Sequence, residues 1–105
     1  MPYFMKEWDF EDNFFPGLKN TTVSMRKGSF IIAKGPFNFV ARNSGDVLPV
    51  NVTDVTVAPF DKISDELIEK DGKGGRDQTF ADMSLFYAGL TKDTNITVLE
   101  YELIN

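Results

Sequence analysis

Alternating apolar and polar residues predict a chain built mainly of short β-strands. Runs rich in Val, Ile, Phe and Thr are separated by Gly, Pro, Asn and Asp, which are typical of turns. In the first clear run, Val23 and Met25 share one face of a strand, whereas Thr22, Ser24 and Arg26 share the other. The predicted strands are residues 21–25, 29–34, 37–41, 47–57 and 95–104.

Two segments add detail to this pattern. The aromatic-rich residues 1–15 predict a strand followed by a helical turn that packs its rings on the core and stops at Pro16-Gly17. In residues 47–57, the apolar positions change phase after Val52. A phase change within one strand indicates a β-bulge, which bends the strand and helps a small sheet to close.

Two helices are predicted between the last two strands. Ser64 is a suitable N-cap because Asp65 and Glu66 follow it, and acidic residues are favoured in the first turn of a helix. Thr79 is the expected N-cap of the second helix. The apolar stripe of that helix, expected to pack on the core, consists of Phe80, Met83, Phe86 and Tyr87.

These elements predict one domain that spans residues 1–105. Several strands, two short helices and a terminal strand indicate the α+β class. Short strands with a bulge favour a small mixed β-barrel, with the two helices flanking it. The length of 105 residues leaves no room for a second core, and 42% hydrophobic residues suffice to build one.

Composition removes several classes of chemistry. The chain contains no His and no Cys. It therefore cannot form a Ser-His-Asp triad, a thiolate nucleophile, a disulfide or a Cys/His zinc site. We expect no metal and no cofactor, so any catalysis must use hydroxyl, amine or carboxylate side chains.

Charge and hydropathy bear on partners and location. No stretch is long and apolar enough to span a membrane, and the acidic start does not resemble a secretion signal, so we expect a cytoplasmic protein without a membrane partner. The net charge of −5 argues against a general nucleic-acid coat protein. However, no acidic residue lies between Asp12 and Asp46. This window predicts either a solvated hairpin face or a pocket for an anion or nucleotide; its basic residues are Lys19, Arg26, Lys27, Lys34 and Arg42.

Five weak motifs, in this order, resemble an ASCH domain of the PUA-like superfamily. They are Pro16-Gly17-Leu18-Lys19, Thr22-Val23-Ser24-Met25-Arg26, Gly45-Asp46-Val47-Leu48, residues 52–72 and residues 86–101. The resemblance implies a small β-barrel with a cleft, and binding of RNA or modified nucleosides. One branch of the family is similar to amidohydrolases that remove the acetyl group of N4-acetylcytidine with a Lys, a Thr and a Glu.

The family's signature, Gly-x-Lys-x-x-Glu/Thr-x-Arg, fits this sequence in two registers. Anchored on Gly17, it matches Lys19 and Thr22 but meets Ser24 where Arg belongs. Anchored on Arg26, it matches the hydroxyl of Ser24 but meets Thr21 where Lys belongs. The family's acid falls at Asp71.

The candidate site follows from this resemblance. Catalytic candidates are Lys19 as base, Ser24 as nucleophile and Asp71 as the acid that positions Lys19 or holds an exocyclic nitrogen. The candidate ligand-binding residues are Thr21, Thr22, Arg26 and Lys27.

Three functions remain open from the sequence. The first is a binding module for RNA, a nucleotide or a modified nucleoside in a cationic cleft. The second is a small amidohydrolase that acts on N4-acetylcytidine-type nucleosides. The third is a protein-interaction domain without cleft chemistry. The expected partner is a small nucleoside or nucleotide, with single-stranded RNA as the alternative.

Overall fold

In the computed structural model, which describes residues 4–71 and 74–104, five strands form one mixed sheet. The strands are β1 (Glu7–Phe10), β2 (Val23–Lys27), β3 (Gly35–Ala41), β4 (Val47–Pro59) and β5 (Asn95–Leu103). Their order in the sheet is β1-β3-β4-β5-β2. β1 runs parallel to β3, and the other neighbouring strands are antiparallel. The first three residues of the predicted aromatic-rich start lie outside the described residues.

Two α-helices and two 3₁₀ segments connect the strands. α1 (Asp65–Asp71) and α2 (Arg76–Phe86) both lie between β4 and β5 in the chain. The first 3₁₀ segment, Phe15–Asn20, connects β1 to β2, and the second, Phe60–Lys62, follows β4. The predicted α+β class with two helices is therefore confirmed. Among the described residues, no helix has the length and apolar character needed to cross a membrane.

The sheet curls into a half-barrel. β4 is thirteen residues long and pairs with β3 along its first half and with β5 along most of its length. Its pairing with β5 is interrupted by a bulge between Val52 and Asp54, as the phase change in the sequence predicted. The curl leaves β1 and β2 as the two edges of the sheet.

Both faces of the sheet are buried. On β5, Leu99 and Tyr101 point into a cluster with Trp8 and Phe39, which fills the inside of the curl. Val98, on the opposite face of the same strand, belongs to a second cluster beneath the helices. The buried members that the connecting segments and helices add to this second cluster are Phe60, Ile63, Ile68 and Met83.

The start of α1 follows the sequence prediction. The backbone N–H of Leu67 donates to the hydroxyl oxygen of Ser64 at 3.2 Å, which is the expected N-cap bond. Ile63 and Ile68 are both buried in the second cluster, one on each side of the cap.

Three predicted local features are wrong. Residues 29–34 form a loop, not a strand, because Thr97 ties the loop down by accepting from Phe30 N–H and donating to the carbonyl of Gly28. Pro16-Gly17 does not stop a helical turn but lies inside the first 3₁₀ segment, where Pro is tolerated near the start. α2 begins at Arg76, so Thr79 lies inside it.

Arg76 accounts for the early start of α2. Its guanidinium group donates to the main-chain carbonyls of Phe60 and Ile63, at 3.1 and 2.5 Å, and to the carboxylate of Asp65 at 2.7 Å. These bonds fix the first turn of α2 against the segment that precedes α1. The anchor joins residues far apart in the chain, so helix-capping patterns do not reveal it.

Replacing Thr79 with valine is expected to raise the free energy of unfolding by about 1 kcal/mol. Thr79 is fully buried, and its hydroxyl has no hydrogen-bond partner among the described residues. Valine has nearly the same shape and carries no polar atom. Urea denaturation followed by circular dichroism measures the change. Thr97→Val is the matched control. Thr97 is equally buried, but its hydroxyl makes two hydrogen bonds, so the loss of this hydroxyl should lower the free energy of unfolding. A Thr79→Val variant less stable than wild type would contradict the prediction.

Candidate functional site

A cleft of about 540 Å³ lies where the two edges of the half-barrel approach each other. Residues of β1 and β2 line it from the sheet, and the first 3₁₀ segment lines it from the connection between them. The C-terminal ends of α1 and α2 complete the wall. Its volume lies in the range of small-molecule sites, about 300–1,000 Å³.

Two polar side chains are buried in the wall of this cleft. Ser24, the second residue of β2, is 6% exposed, and Asp71, the last residue of α1, is 8% exposed. A buried carboxylate at the C-terminal end of a helix meets the negative end of the helix dipole, so it favours hydrogen-bond donors or cations nearby. The cleft can therefore accept hydrogen bonds from a polar ligand.

A chain of hydroxyl groups lies next to Asp71. The hydroxyl of Tyr101 donates to the carbonyl of Leu18 at 2.9 Å, so the hydroxyl of Thr21, 2.5 Å away, donates to Tyr101. Burial raises the pKa of Tyr101, the bond from Thr21 lowers it, and the charge of Asp71 raises it further. Tyr101 is therefore a neutral anchor that fixes Thr21 at the cleft wall.

Arg26 spans the gap between the two edge strands. It extends from β2 to β1, where its Nη1 lies 3.2 Å from Asp9 Oδ1 and its Nη2 donates to the main-chain carbonyl of Asp9. The guanidinium carbon lies 4.9 Å from the centre of the Trp8 ring and 5.4 Å from that of Phe10. The other carboxylate oxygen of Asp9 accepts from Arg42 Nε at 2.8 Å.

The two arginines determine the ionisation of Asp9. Hydrogen bonds from Arg42 and then Arg26 hold the pKa of this carboxyl below its ordinary value of 3.8, against a smaller opposing effect of burial. Asp9 therefore stays ionised further into the acid range than an ordinary aspartate, and its charge is shared between two guanidinium groups. Arg26 acts here as a link between β1 and β2.

The ionic lining of the cleft is mixed. Its basic residues are Arg26, Lys27 and Arg42, and its acidic residues are Asp9, Glu11 and Asp71. A cationic pocket is one of the two interpretations that the acid-free window of the sequence allows, but the fold brings three acids from outside that window into the cleft lining. The formal charges of the lining residues thus cancel.

Aromatic rings stand at the outer part of the cleft. Phe14 and Phe86 both line it, are 46% and 54% exposed, and meet edge to face with ring centres 5.1 Å apart. The sequence placed both rings in the core, and this is wrong. Phe86 shares the helical spacing of the buried Met83 but lies at the last residue of α2, where the core ends. No sequence signal separates it from the core stripe.

The fold brings five of the seven predicted site residues to one cleft: Thr21, Ser24, Arg26, Lys27 and Asp71. Lys19 is exposed in the last turn of the first 3₁₀ segment and is not part of the cleft lining. Thr22 is also exposed and lines a separate shallow depression together with Lys70 and Glu100.

Thr21 and Ser24 line the cleft together with Asp71, so two hydroxyl groups and one carboxyl group belong to the same lining. Within residues 4–71 and 74–104, no group of three or more acidic side chains is placed to hold a metal ion.

Two solved structures have a similar fold. Protein EF3133 from Enterococcus faecalis V583, described under the family name DUF984, gives a TM-score of 0.68 at 13% sequence identity, over 99% of this chain and 82% of that chain. The hypothetical protein PH0355 gives a TM-score of 0.66 at 18% identity, over 95% of this chain and 99% of that chain. At these identities the likeness shows a shared fold. No family model matches the sequence, and no curated protein matches it.

Proposed function

We propose that this protein is a binding module for a small nucleoside or nucleotide, including modified nucleosides, held in the cleft between β1, β2 and the helix ends. The observation that carries the proposal is one cleft with the buried hydroxyl of Ser24, the buried carboxylate of Asp71 and exposed aromatic rings. A nucleobase is a planar ring with hydrogen-bonding groups on its edges. Its faces can therefore stack on the aromatic rings, and its edges can bond to Ser24 and Asp71. A cytoplasmic location, expected from the sequence, is part of the same proposal.

The charges favour a small ligand over a long single-stranded RNA. Binding to a nucleic-acid backbone relies on many contacts between cations and phosphates. Here two of the three basic residues in the cleft, Arg26 and Arg42, already bind Asp9, and the chain as a whole has a net charge of −5. RNA binding therefore ranks behind nucleoside or nucleotide binding, and short RNAs belong in the same ligand screen.

Replacing Ser24 with alanine is expected to weaken ligand binding about fivefold, the loss of one hydrogen bond of about 1 kcal/mol. The ligand is first found by protein-observed NMR with nucleosides, nucleoside monophosphates and short RNAs, and its affinity is then measured by calorimetry. Thr22→Ala is the matched control, because Thr22 is two residues away and lies outside the cleft. Equal losses in both variants would contradict the placement of the ligand in this cleft.

An amidohydrolase acting on N4-acetylcytidine-type nucleosides is the second candidate. It is favoured by the shared cleft of Ser24 and Asp71, which hold two of the roles that the resemblance assigns to catalytic residues. The third residue, Lys19, lies outside the cleft lining, and Thr21 stands at the alternative position of the lysine. The cleft thus offers a hydroxyl and a carboxylate but no lysine at the place of the base, which favours binding over hydrolysis.

One assay separates these candidates. Hydrolysis would consume water, break the bond between the acetyl carbon and N4, and release acetate and cytidine. Incubating N4-acetylcytidine with a high concentration of wild-type protein and detecting cytidine by chromatography tests this step directly. Cytidine formation would replace the binding proposal with the amidohydrolase. If no nucleoside, nucleotide or RNA binds, the protein-interaction domain is the remaining candidate function.

A further inference from the structure

The aromatic pair of Phe14 and Phe86 is not explained by packing. Phe14 precedes the first 3₁₀ segment and Phe86 ends α2, so two distant parts of the chain meet at this pair. Neither ring belongs to the two core clusters or to the partly buried residues around them. Single exposed apolar residues are ordinary, but two exposed rings that touch each other in the lining of a cleft form a contiguous apolar patch, which is typical of binding surfaces.

Exposure changes with depth in the cleft. Phe14 and Phe86 are about half exposed, whereas Ser24 and Asp71 are less than a tenth exposed. The two rings therefore stand at the mouth, together with the exposed charged residues Glu11 and Arg42, and Ser24 and Asp71 lie deeper. A ligand that fills the cleft would contact the aromatic pair at the mouth and Ser24 and Asp71 beyond it.

The geometry of the pair suits a third ring. The two ring planes are inclined at 84° to each other. A planar ligand stacked on the face of one phenylalanine would thus meet the other edge to face, and both arrangements are favourable for aromatic rings. Because the formal charges of the lining residues cancel, the cleft provides no surplus charge to hold a ligand by phosphate alone.

We propose that Phe14 and Phe86 form the stacking platform of the site and select ligands by a planar heterocyclic ring, the nucleobase, in preference to the sugar or phosphate. This inference rests on the proposed function. It adds that the base enters at the mouth, stacks against the phenylalanine pair, and presents its polar edge to Ser24 and Asp71.

The test uses Phe14→Leu and Phe86→Leu, with adenosine, cytidine and D-ribose as probes. Leucine keeps an apolar side chain but removes the aromatic face. Each variant should weaken nucleoside binding about tenfold in calorimetry, in line with the strength of base–aromatic stacking. The melting temperature should stay close to that of wild type, because both rings are exposed. Leu85→Ala is the control, since Leu85 is 82% exposed beside Phe86 and is not part of the cleft lining.

The outcomes separate this inference from the proposed function. Nucleosides that bind wild type and both leucine variants equally well would overturn the stacking platform and leave the binding module intact. D-Ribose that binds as tightly as the nucleosides would overturn selection by the base. If neither adenosine nor cytidine binds wild type, this inference fails; a nucleotide or RNA that binds in the wider screen would still preserve the binding module.

Discussion

Replacing Arg26 with alanine is expected to lower the free energy of unfolding by about 2–3 kcal/mol. The substitution removes the bonds to the carboxylate and main-chain carbonyl of Asp9, and the contacts with Trp8 and Phe10. It also releases the two edges of the half-barrel from each other at the cleft. Urea denaturation measured by tryptophan fluorescence suits this variant, because Trp8 is the one tryptophan of the chain and lies beneath Arg26.

Arg42→Ala is the matched control for Arg26. Both guanidinium groups bind Asp9, but the side chain of Arg42 is 53% exposed and that of Arg26 is 22% exposed. An exposed ion pair contributes at most about 1 kcal/mol. Arg42→Ala should therefore cost clearly less than Arg26→Ala, and equal losses would show that Arg26 is an ordinary surface ion pair.

The pH dependence of the stability difference between wild type and Arg26→Ala gives a second check. Because the folded-state pKa of Asp9 is lowered, its contribution to stability is complete above the unfolded value near 3.8 and is lost as the pH falls through the folded value. The stability difference between wild type and Arg26→Ala should thus shrink below pH 3.8. A difference that is constant down to acid pH would assign the whole effect of Arg26 to its aromatic and main-chain contacts.

Replacing Phe39 with alanine is expected to cost about 3–5 kcal/mol of stability, the usual loss for a buried phenylalanine. Phe39 is fully buried on β3 and meets three rings edge to face, those of Phe10, Phe37 and Tyr101. For a domain with a total stability of about 5–15 kcal/mol, this loss leaves little reserve. The midpoint of urea denaturation, together with the slope m of the transition, gives the size of the effect.

Phe4→Ala is the control for Phe39→Ala. Phe4 is 42% exposed, so its removal should change stability by less than about 0.5 kcal/mol. The Phe39 variant should also disturb the cleft, since Phe39 packs on Tyr101, which fixes Thr21. An unchanged Phe39→Ala midpoint would contradict the assignment of this ring to the centre of the core.

The sequence predicts the fold well wherever the pattern of apolar residues is local. Strands β2 to β5 lie within two residues of their predicted bounds, and the bulge in β4 follows from the phase of its valines. Ser64 caps α1 because its neighbours carry the standard signal. The prediction fails where a residue distant in the sequence determines the local structure. Thr97 holds residues 29–34 as a loop, and Arg76 anchors the start of α2.

The candidate site was predictable only in part for the same reason. Alternation along β2 put Thr22, Ser24 and Arg26 on one face, but the cleft is lined by Ser24 and Arg26 without Thr22, and also by residues of the other face. Whether Lys19 reached the same cleft depended on the path of the 3₁₀ segment, which neither spacing nor resemblance determines. The acids that balance the cleft and the rings at its mouth come from other elements of the chain, so their contribution appears only once the sheet has curled.

The bulge in β4 also identifies a position at which the strand can lose one residue and keep its pairing with β5. Thr53 is the extra residue, because its neighbours on either side pair with consecutive residues of β5. Deleting it would leave Val50, Val52 and Val55 in strict alternation on the core face, so the hydrophobic register would survive. The added twist would be lost, and the sheet would flatten. Its two edges would then stand farther apart and weaken the link that Arg26 makes between them, so a single-residue deletion in β4 would widen the cleft although the apolar residues of β4 keep their face.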